Sequence, residues 1–353
     1  MQLDTVLALA SCTKLMTAIA VLQCVERGQL DLDVDVALIL PEVGKYGIIT
    51  GFDDSKNEAI LIPKVNHVTL RQLLTHTSGQ AYDLVHPLLI KWRASRGEEP
   101  WTGPTIEDKT TVPLIFEPGT AWAYGGGSDW AGKIVERVTG QTLEEYMKKH
   151  IWTPLGIKDL TFWPKTRKDM EDRMADISML GPDGKKVFDV PPGVFDITYG
   201  ATDCSGGAGA FGTPSAFFTL LQAVLRKDTK LLKPESYEEL FRPQLNEQCR
   251  QALNDLILND QVSRDFLSVN VPVTAKKNWS LAGLLVEEDQ PGWVRKNTIL
   301  WGGLPCLVWF CDREAGLCGF AGSQVLPPMA PPIMKFHESF QRGIYDVYAA
   351  TTQ

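Results

Sequence analysis

A serine and a lysine three positions apart, Ser11 and Lys14, stand near the start of the chain. Apolar residues follow them at spacings of three and four, which predicts a helix from Ser11 to Arg27. Because residues three apart share one helix face, with Cβ atoms about 5–6 Å apart, the two side chains can touch. A serine hydroxyl must be activated before it attacks a carbonyl, and a lysine in apolar surroundings can accept its proton or polarise a neighbour. In the simpler alternative, Ser11 caps the helix and Lys14 extends to solvent.

A tyrosine followed by three glycines forms a second stretch, from Tyr124 to Gly127. Glycine lets another backbone come close, and a phenol can carry protons to and from a neighbouring group. The stretch is therefore a candidate for proton transfer, although a tyrosine packed in a loop has the same pattern.

Glycines also interrupt a β-rich run near the C-terminus, in the stretch Trp301-Gly302-Gly303-Leu304. Such glycines often mark a place where a ligand or another backbone approaches a strand, and a simple bulge is the alternative. A further Gly-rich segment, 205–212, lacks the GK[ST] ending of a phosphate loop. We expect its backbone to lie close to the site or to a neighbouring helix.

The elements around these stretches predict an α+β protein. Helices dominate the middle, and β-rich runs from 298 to 310 and 317 to 324 with a helix from Pro331 to Tyr348 close the chain. The segment 93–118 is rich in Pro, Gly, Glu and Thr and is predicted to be a loop or lid. We assign 1–353 to one domain with two lobes. One lobe is mostly helical and covers about 30–210; the other combines 1–29 with 280–353 and holds the nucleophile helix, the sheet and the C-terminal helix.

Composition excludes several classes of protein. The 353 residues carry a net charge of −8, without the basic excess of a nucleic-acid binder. The longest uncharged apolar stretch, Leu15 to Val25, is too short to span a bilayer. Seven scattered cysteines suit reduced thiols in the cytoplasm, and five histidines without a paired spacing argue against a zinc site. We therefore predict no nucleic-acid or membrane partner, no metal and no cofactor.

Together and in this order, the three stretches resemble the motifs of the serine β-lactamase and penicillin-binding-protein superfamily. Within it, the chain is similar to the class C-like esterases, and most of all to fungal polyketide acyltransferases of the lovastatin transesterase type. The resemblance covers nearly the whole chain and rests on the segments LASCTKLMTAIAVLQCVERGQLDLD, VTLRQLLTHTSG, EPGTAWAYGGGSDWAGKIVERVTG, PLGIKDLTF, LWGGLPCLVW and AGLCGF. It implies a β-lactamase/transpeptidase-like fold, with an antiparallel sheet flanked by helices beside a mostly helical lobe.

The resemblance also implies roles for individual residues. Ser11 matches the family nucleophile, Lys14 the motif lysine, and Tyr124 the tyrosine proposed as base and acid. The backbone N–H groups of Ser11 and Leu304 match the oxyanion hole. The strand with Trp301, Gly302 and Gly303 would pair with the acyl substrate. Trp122 is included in the predicted apolar substrate pocket.

Three departures from the family pattern shape the functional expectation. Gly126 stands where β-lactamases usually have Asn, and Trp301 stands where they have the Lys that holds the antibiotic's carboxylate. Trp301 cannot supply that charge, so a neutral ester or thioester is favoured over a β-lactam. Family members also carry roughly sixty residues before the serine, including a sheet hairpin, which this chain lacks. If the sequence is complete, we expect the strand near Cys318 to Gln324 to be an exposed apolar edge. The alternatives are a truncated start or a partner that covers the edge.

The function expected from this resemblance is serine acyl transfer. An acyl group would move from a thioester donor, such as one carried on an acyl-carrier domain of a polyketide synthase, through acyl-Ser11 to a small-molecule alcohol of the polyketide type. A carboxylesterase that hydrolyses small esters is the first alternative. A catalytically degenerate member of the fold, in which Ser11 only caps its helix, is the second.

Overall fold

The computed structural model describes residues 1–191, 196–198 and 200–351. The α-helices in these residues are α1 (Thr13–Glu26), α2 (Leu70–Leu74), α3 (Pro87–Ser95), α4 (Ile106–Thr110), α5 (Gly127–Thr139), α6 (Leu143–Met147), α7 (Lys168–Glu171), α8 (Pro214–Leu225), α9 (Pro234–Phe241), α10 (Glu247–Asn259), α11 (Gln261–Leu267) and α12 (Pro331–Thr351). The strands are β1 (Leu7–Ala8), β2 (Ile48–Asp53), β3 (Glu58–Ile62), β4 (Leu160–Thr161), β5 (Ser178–Leu180), β6 (Val187–Asp189), β7 (Phe211–Gly212), β8 (Lys277–Trp279), β9 (Leu284–Val286), β10 (Ile299–Gly303), β11 (Leu307–Asp312), β12 (Leu317–Gly322) and β13 (Val325–Leu326).

The largest sheet is antiparallel, with strands in the order β12-β11-β10-β9-β8. The β-rich run predicted from 298 to 310 is two strands rather than one, since β10 and β11 form a hairpin that pairs Gly303 with Leu307. Pro305 has no N–H for a ladder, and Cys306 has a φ of 61°, so the chain reverses between these strands. Because the side chains of both strands are apolar, the hydropathy pattern of the sequence gives no sign of the turn between them.

The nucleophile helix predicted from Ser11 to Arg27 is confirmed, with its first turn tightened. Residues Ala10–Cys12 form a 3₁₀ turn that leads directly into α1. Every α1 residue from Thr13 to Cys24 is buried, as expected for a helix that is apolar on all sides. The helix packs against α5, α6 and α9, and these contacts hold the adjoining Ser11 turn in place.

Local capping signals in the sequence also correspond to the structure. The side chains of Thr69 and Thr142 form capping boxes with Gln72 and Glu145 at the starts of α2 and α6. The Thr213 hydroxyl accepts a hydrogen bond from the Ala216 N–H in the first turn of α8, a helix that begins with a proline. These caps fix where the helices begin around the site.

The segment 93–118 is not the continuous loop or lid that its composition predicts. Arg93 lies in α3, and the segment contains α4, which begins with its own capping box. The buried Arg93 guanidinium donates to the Asp83 carboxylate at 2.7 Å and to the backbone carbonyls of Asp108 and Lys109. Arg93 thus ties the start of the segment to Asp83 and to α4, which composition alone does not reveal.

The C-terminal helix α12 is confirmed and, with α8, packs against β12. Among the described strands, β12 is at the edge of the large sheet, and its side chains alternate between half-buried and buried. The α+β class is therefore confirmed, whereas the division into two lobes stays a prediction. None of the helices in the described residues has the length and apolar character needed to cross a membrane.

Candidate active site

The Ser11 hydroxyl lies between the two side chains that the sequence predicts to activate it. The Tyr124 hydroxyl is 2.8 Å from Ser11 Oγ, and Lys14 Nζ is 3.1 Å from the same atom. Lys14 Nζ also lies over the Tyr124 ring, 4.8 Å from its centroid. Three groups capable of proton transfer therefore meet at one oxygen atom, and the N-cap residue of α1 is Cys12 rather than Ser11.

Lys14 is buried and is held by the Gly-rich segment. Its ammonium donates to the carbonyl oxygen of Gly207 at 2.8 Å. One turn further along α1, the Thr17 hydroxyl donates to the carbonyl of Gly206 at 2.7 Å. A Cβ on Gly206 would lie 2.6 Å from the Ser128 carbonyl oxygen of α5. The prediction that this segment approaches both the site and a neighbouring helix is confirmed.

Asp129 of α5 links the Gly-rich segment to Lys14. One carboxylate oxygen accepts from the Ser205 hydroxyl and, at 3.0 Å, from the Gly207 N–H. The other oxygen has no hydrogen-bond partner within the described part of the chain. Burial raises the pKa of Asp129, and the nearby positive charge of Lys14 opposes that rise. The Gly207 residue thus bonds Asp129 through its N–H and Lys14 through its carbonyl.

Tyr124 is fixed from two sides. Trp301 Nε1 donates to the Tyr124 hydroxyl at 3.2 Å, and the two ring centroids are 5.2 Å apart. On the other side, the His76 ring centroid is 4.7 Å from that of Tyr124. His76 accepts the Ala123 N–H on its carbonyl oxygen and the Gly125 N–H on Nδ1. Burial, followed by the charge of Lys14, holds the pKa of His76 well below its ordinary value, so the imidazole is neutral and can accept.

Glycines at the motif positions let three backbone segments pack around Ser11. A Cβ on Gly125 would lie 2.5 Å from the Gln80 carbonyl oxygen, and one on Gly127 would lie 2.1 Å from that of Leu73. On the sheet side, a Cβ on Gly303 would lie 2.4 Å from the Leu9 carbonyl oxygen. Real Cβ atoms do not come so close, so each position needs glycine. The interpretation of Gly303 as a point of close backbone approach is confirmed.

A narrow pocket that is partly open to solvent begins at Ser11. The strand residues predicted to bind substrate line it, together with a wall from α11, α12 and the loops beside them. The lining residues are Ser11, Tyr124, Phe266, Val269, Asn270, Trp301, Gly302, Gly303, Leu304, Leu307, Val308, Met329, Met334 and His337. No Lys, Arg, Asp or Glu of the described residues is among them.

The remaining predicted site residues differ in their positions. Leu304 directly follows β10, in the turn of the β10–β11 hairpin, and lines the pocket with Ser11, so both predicted oxyanion-hole residues border the same space. Trp122 is not one of the described residues that line the pocket. Its buried ring packs 5.7 Å from His76 and 5.3 Å from Trp279, behind Tyr124, where it supports the site from within the core.

Comparisons with known proteins agree with this geometry. The family model described as Beta-lactamase matches residues 1–319. The lovastatin esterase of Penicillium rubens is 39% identical over 99% of this chain and 87% of its own. The monacolin J acid methylbutanoyltransferase of Aspergillus terreus is 37% identical over 99% of this chain and 84% of its own. A solved structure of a simvastatin synthase mutant from Aspergillus terreus superposes with a TM-score of 0.89 at 34% identity, covering 99% of this chain and 83% of that one.

The chain belongs to the beta-lactamase family. The predicted resemblance and the β-lactamase/transpeptidase-like fold are confirmed. Within the beta-lactamase family, the chain is an enzyme of the serine acyltransferase and esterase type.

Sequence reasoning missed residues that this beta-lactamase-family site contains. The predicted site residues do not include His76 and Asp129, although each has a signal: His76 lies in the quoted segment VTLRQLLTHTSG, and Asp129 is the acid in the first turn of the helix that follows the three glycines. A buried lysine needs an opposite charge nearby, which could have indicated Asp129. His337 has no such signal, because only the packing of α12 brings it to the pocket.

Proposed function

We propose that the protein transfers an acyl group from a thioester to a hydroxyl of a polyketide-type secondary metabolite, through an acyl-Ser11 intermediate. The observation that carries the proposal is the position of Ser11 Oγ, 2.8 Å from the Tyr124 hydroxyl and 3.1 Å from Lys14 Nζ. The relatives support the same chemistry, since their names describe acyl transfer to, or ester cleavage from, statin-type polyketides.

In the first step, Ser11 Oγ attacks the thioester carbonyl carbon. Tyr124 acts in this step as a phenolate, which the Lys14 ammonium stabilises, so that the phenolate oxygen takes the Ser11 proton and becomes a neutral phenol. The carbonyl oxygen becomes an oxyanion, which the backbone N–H groups of Ser11 and Leu304 stabilise. When the C–S bond breaks, the thiolate takes the proton from Tyr124 and leaves as a thiol.

In the second step, an alcohol occupies the place of the thiol. Tyr124 accepts the alcohol's proton as the oxygen attacks the acyl carbon, and Ser11 regains a proton as its ester bond breaks. The hydrogen bond from Trp301 to the Tyr124 hydroxyl holds the phenol oxygen in position through both steps. The reaction needs no net proton exchange with solvent, because thiol and ester are the only products.

The pocket favours a neutral acyl group. Among its described lining residues there is no cation, and the family's carboxylate-binding lysine is replaced by the buried Trp301. A β-lactam carboxylate would therefore lose its hydration without gaining a charged partner.

All seven cysteines of the chain are free thiols, which supports a cytoplasmic location, where thioester donors and carrier domains of polyketide synthases are present.

Ester hydrolysis is the second candidate function. It is favoured by the 39% identity to a lovastatin esterase. Hydrolysis and transfer share the acyl-Ser11 intermediate and differ only in whether water or an alcohol removes the acyl group.

Intact-protein mass spectrometry with a panel of short acyl thioesters tests the proposal. We expect a mass gain of one acyl group in the wild type and none in Ser11→Ala. Ser55→Ala, which changes an exposed serine in the β2–β3 turn, is the matched control and should acylate normally. Absence of an adduct in folded wild-type protein would refute the proposal.

Addition of an alcohol to the acylated protein separates the two functions. Monacolin J acid, the acceptor named for one relative, and simpler secondary alcohols are suitable probes. A transferase should lose its acyl group faster with alcohol and yield the new ester. If the loss rate stays that of the water reaction with every alcohol, the esterase function replaces the transferase function.

A further inference from the structure

The pocket wall opposite Tyr124 contains polar side chains that the proposed mechanism does not use. Most of that wall is apolar, formed by residues such as Phe266, Met329 and Met334. Asn270 and His337 interrupt it. His337 is 2% exposed, and its Nε2 has no hydrogen-bond partner among the described residues.

The unpartnered Nε2 of His337 is available to a ligand. Burial lowers the pKa of His337 to about 4, so the imidazole is neutral at physiological pH. A neutral imidazole has one donor and one acceptor nitrogen. Whichever of the two Nε2 is, a hydroxyl can pair with it, because a hydroxyl both donates and accepts.

A second unsatisfied polar group lies on the same face of α12. Gln341, four residues after His337, is fully buried, and residues at this spacing are about 6 Å apart. Its Oε1 accepts from Asn270 Nδ2 at 3.1 Å, whereas its Nε2 lacks a partner in the part of the chain that the structure describes. Asn270, Gln341 and His337 thus form a polar strip, of which Asn270 and His337 line the pocket and Gln341 does not.

A buried polar group without a hydrogen-bond partner is costly in free energy, so the strip is matched to a ligand group that can both donate and accept. A hydroxyl has both capacities. A carboxylate would bring a charge that no side chain in the described lining neutralises, and a methyl group would leave Nε2 unsatisfied.

We propose that this strip binds a hydroxyl on the acyl chain, so that the enzyme is acylated by a hydroxyacyl thioester in preference to the same thioester without the hydroxyl. The proposal rests on acyl transfer through Ser11, and it adds the class of acyl donor. His337 is the specificity-determining residue, and Asn270 and Gln341 hold the polar strip in place.

A competition between donors tests this inference. The protein is mixed with equal amounts of the N-acetylcysteamine thioesters of butanoate and of 2-, 3- or 4-hydroxybutanoate, one pair at a time and without an acceptor alcohol. The two adducts differ in mass by one oxygen atom. We expect the hydroxyacyl adduct to exceed the butanoyl adduct about tenfold for at least one isomer.

Variants assign the preference to His337. His337→Phe keeps a ring but removes both ring nitrogens, and it should bring the ratio of adducts close to one. His337→Gln keeps a polar side chain that can hydrogen-bond and should retain part of the preference. Val347→Ala, an exchange at an exposed residue of α12 that does not line this pocket, should leave the ratio unchanged.

Each outcome decides the inference. Equal amounts of adduct in the wild type for all three isomers would overturn it, whatever the variants do, and would mean that water fills the strip. A wild-type preference that His337→Phe retains would also overturn it. Failure to form either adduct would instead refute the proposed acyl transfer.

Discussion

The two sides of Ser11 differ in charge and in what brings them together. On the side of α1 and α5, Lys14 and Asp129 are buried ionisable groups joined through Gly207. On the side of α12, the described lining has no Lys, Arg, Asp or Glu, and His337 is neutral. We infer that the first side performs the chemistry and the second selects the acyl group.

The sides also tolerate change differently. The α1 side depends on glycines whose missing Cβ atoms admit other backbones, so its geometry has little room for adjustment. The α12 side is formed by flexible and aromatic side chains around an open space. A substitution on the first side should reduce turnover for every substrate, whereas one on the second should change the ratio between substrates.

The largest loss is expected from Lys14→Ala and Tyr124→Phe. Each removes one of the two groups bonded to Ser11 Oγ, and we expect kcat/KM to fall by about 10³-fold in each variant. Because the groups act on the same proton, the double variant should lose little more than the worse single one. Steady-state kinetics with a short acyl thioester measures this. Multiplication of the two losses would show that the groups act independently.

Much of this reactive side is predictable from the sequence. Ser11 and Lys14 share a helix face because of their spacing, and the glycines after Tyr124 and before Leu304 indicate close packing without specifying the partner. Such signals are local, since a cap, a turn or a glycine constrains the backbone at its own position.

His337→Phe should alter the pH dependence of stability. Its pKa of about 4 in the folded state lies below the ordinary value of about 6.5. Between these values the unfolded chain binds a proton that the folded chain does not, so the free energy of unfolding falls as pH falls from 6.5 to 4. Over this pH range the free energy of unfolding falls by about 3 kcal/mol for a pKa shift of this size, and the Phe variant should not show this decrease. Urea titrations across this range would contradict the assignment if both proteins had equal slopes.

The pocket side could not be predicted in the same way. His337, Asn270 and Phe266 lie on or beside helices far from Ser11 in sequence, and none belongs to a motif. A buried polar residue on an amphipathic helix has the same pattern whether it faces core or cavity. Only the packing of α11 against α10 and of α12 against β12 decides between these, and that packing depends on many weak contacts.

Gly303→Ala tests the close packing on the reactive side. The added Cβ would meet the Leu9 carbonyl oxygen at 2.4 Å, and we expect a loss of about 2 kcal/mol in stability from overpacking, with reduced turnover as the Ser11 turn shifts. Gly343→Ala is the matched control, because a Cβ on this α12 glycine meets nothing within 4 Å. It should gain about 0.5–1 kcal/mol from helix propensity. Equal stability changes in the two variants, measured by chemical denaturation, would show that the contact at Gly303 relaxes freely.

Asp129→Asn should have the smallest effect and the most specific one. The Asn oxygen can still accept from Ser205 and Gly207, so the Gly-rich segment keeps its place, but the attraction between the carboxylate and the Lys14 ammonium is lost. We expect kcat/KM near neutral pH to fall by about tenfold.

The pH profile separates this electrostatic role from a structural one. Burial raises the pKa of Asp129, so the wild-type carboxylate takes up a proton as pH falls and activity should fall with it. Asp129→Asn has no such proton to take up, so its acid limb, the part of the pH profile in which activity falls toward low pH, should be flatter. Ser205→Ala, which removes a hydrogen bond to Asp129 but leaves its charge, should retain the wild-type limb. Identical acid limbs in all three proteins would mean that Asp129 only positions Gly207, and that the positive charge of Lys14 is balanced without it.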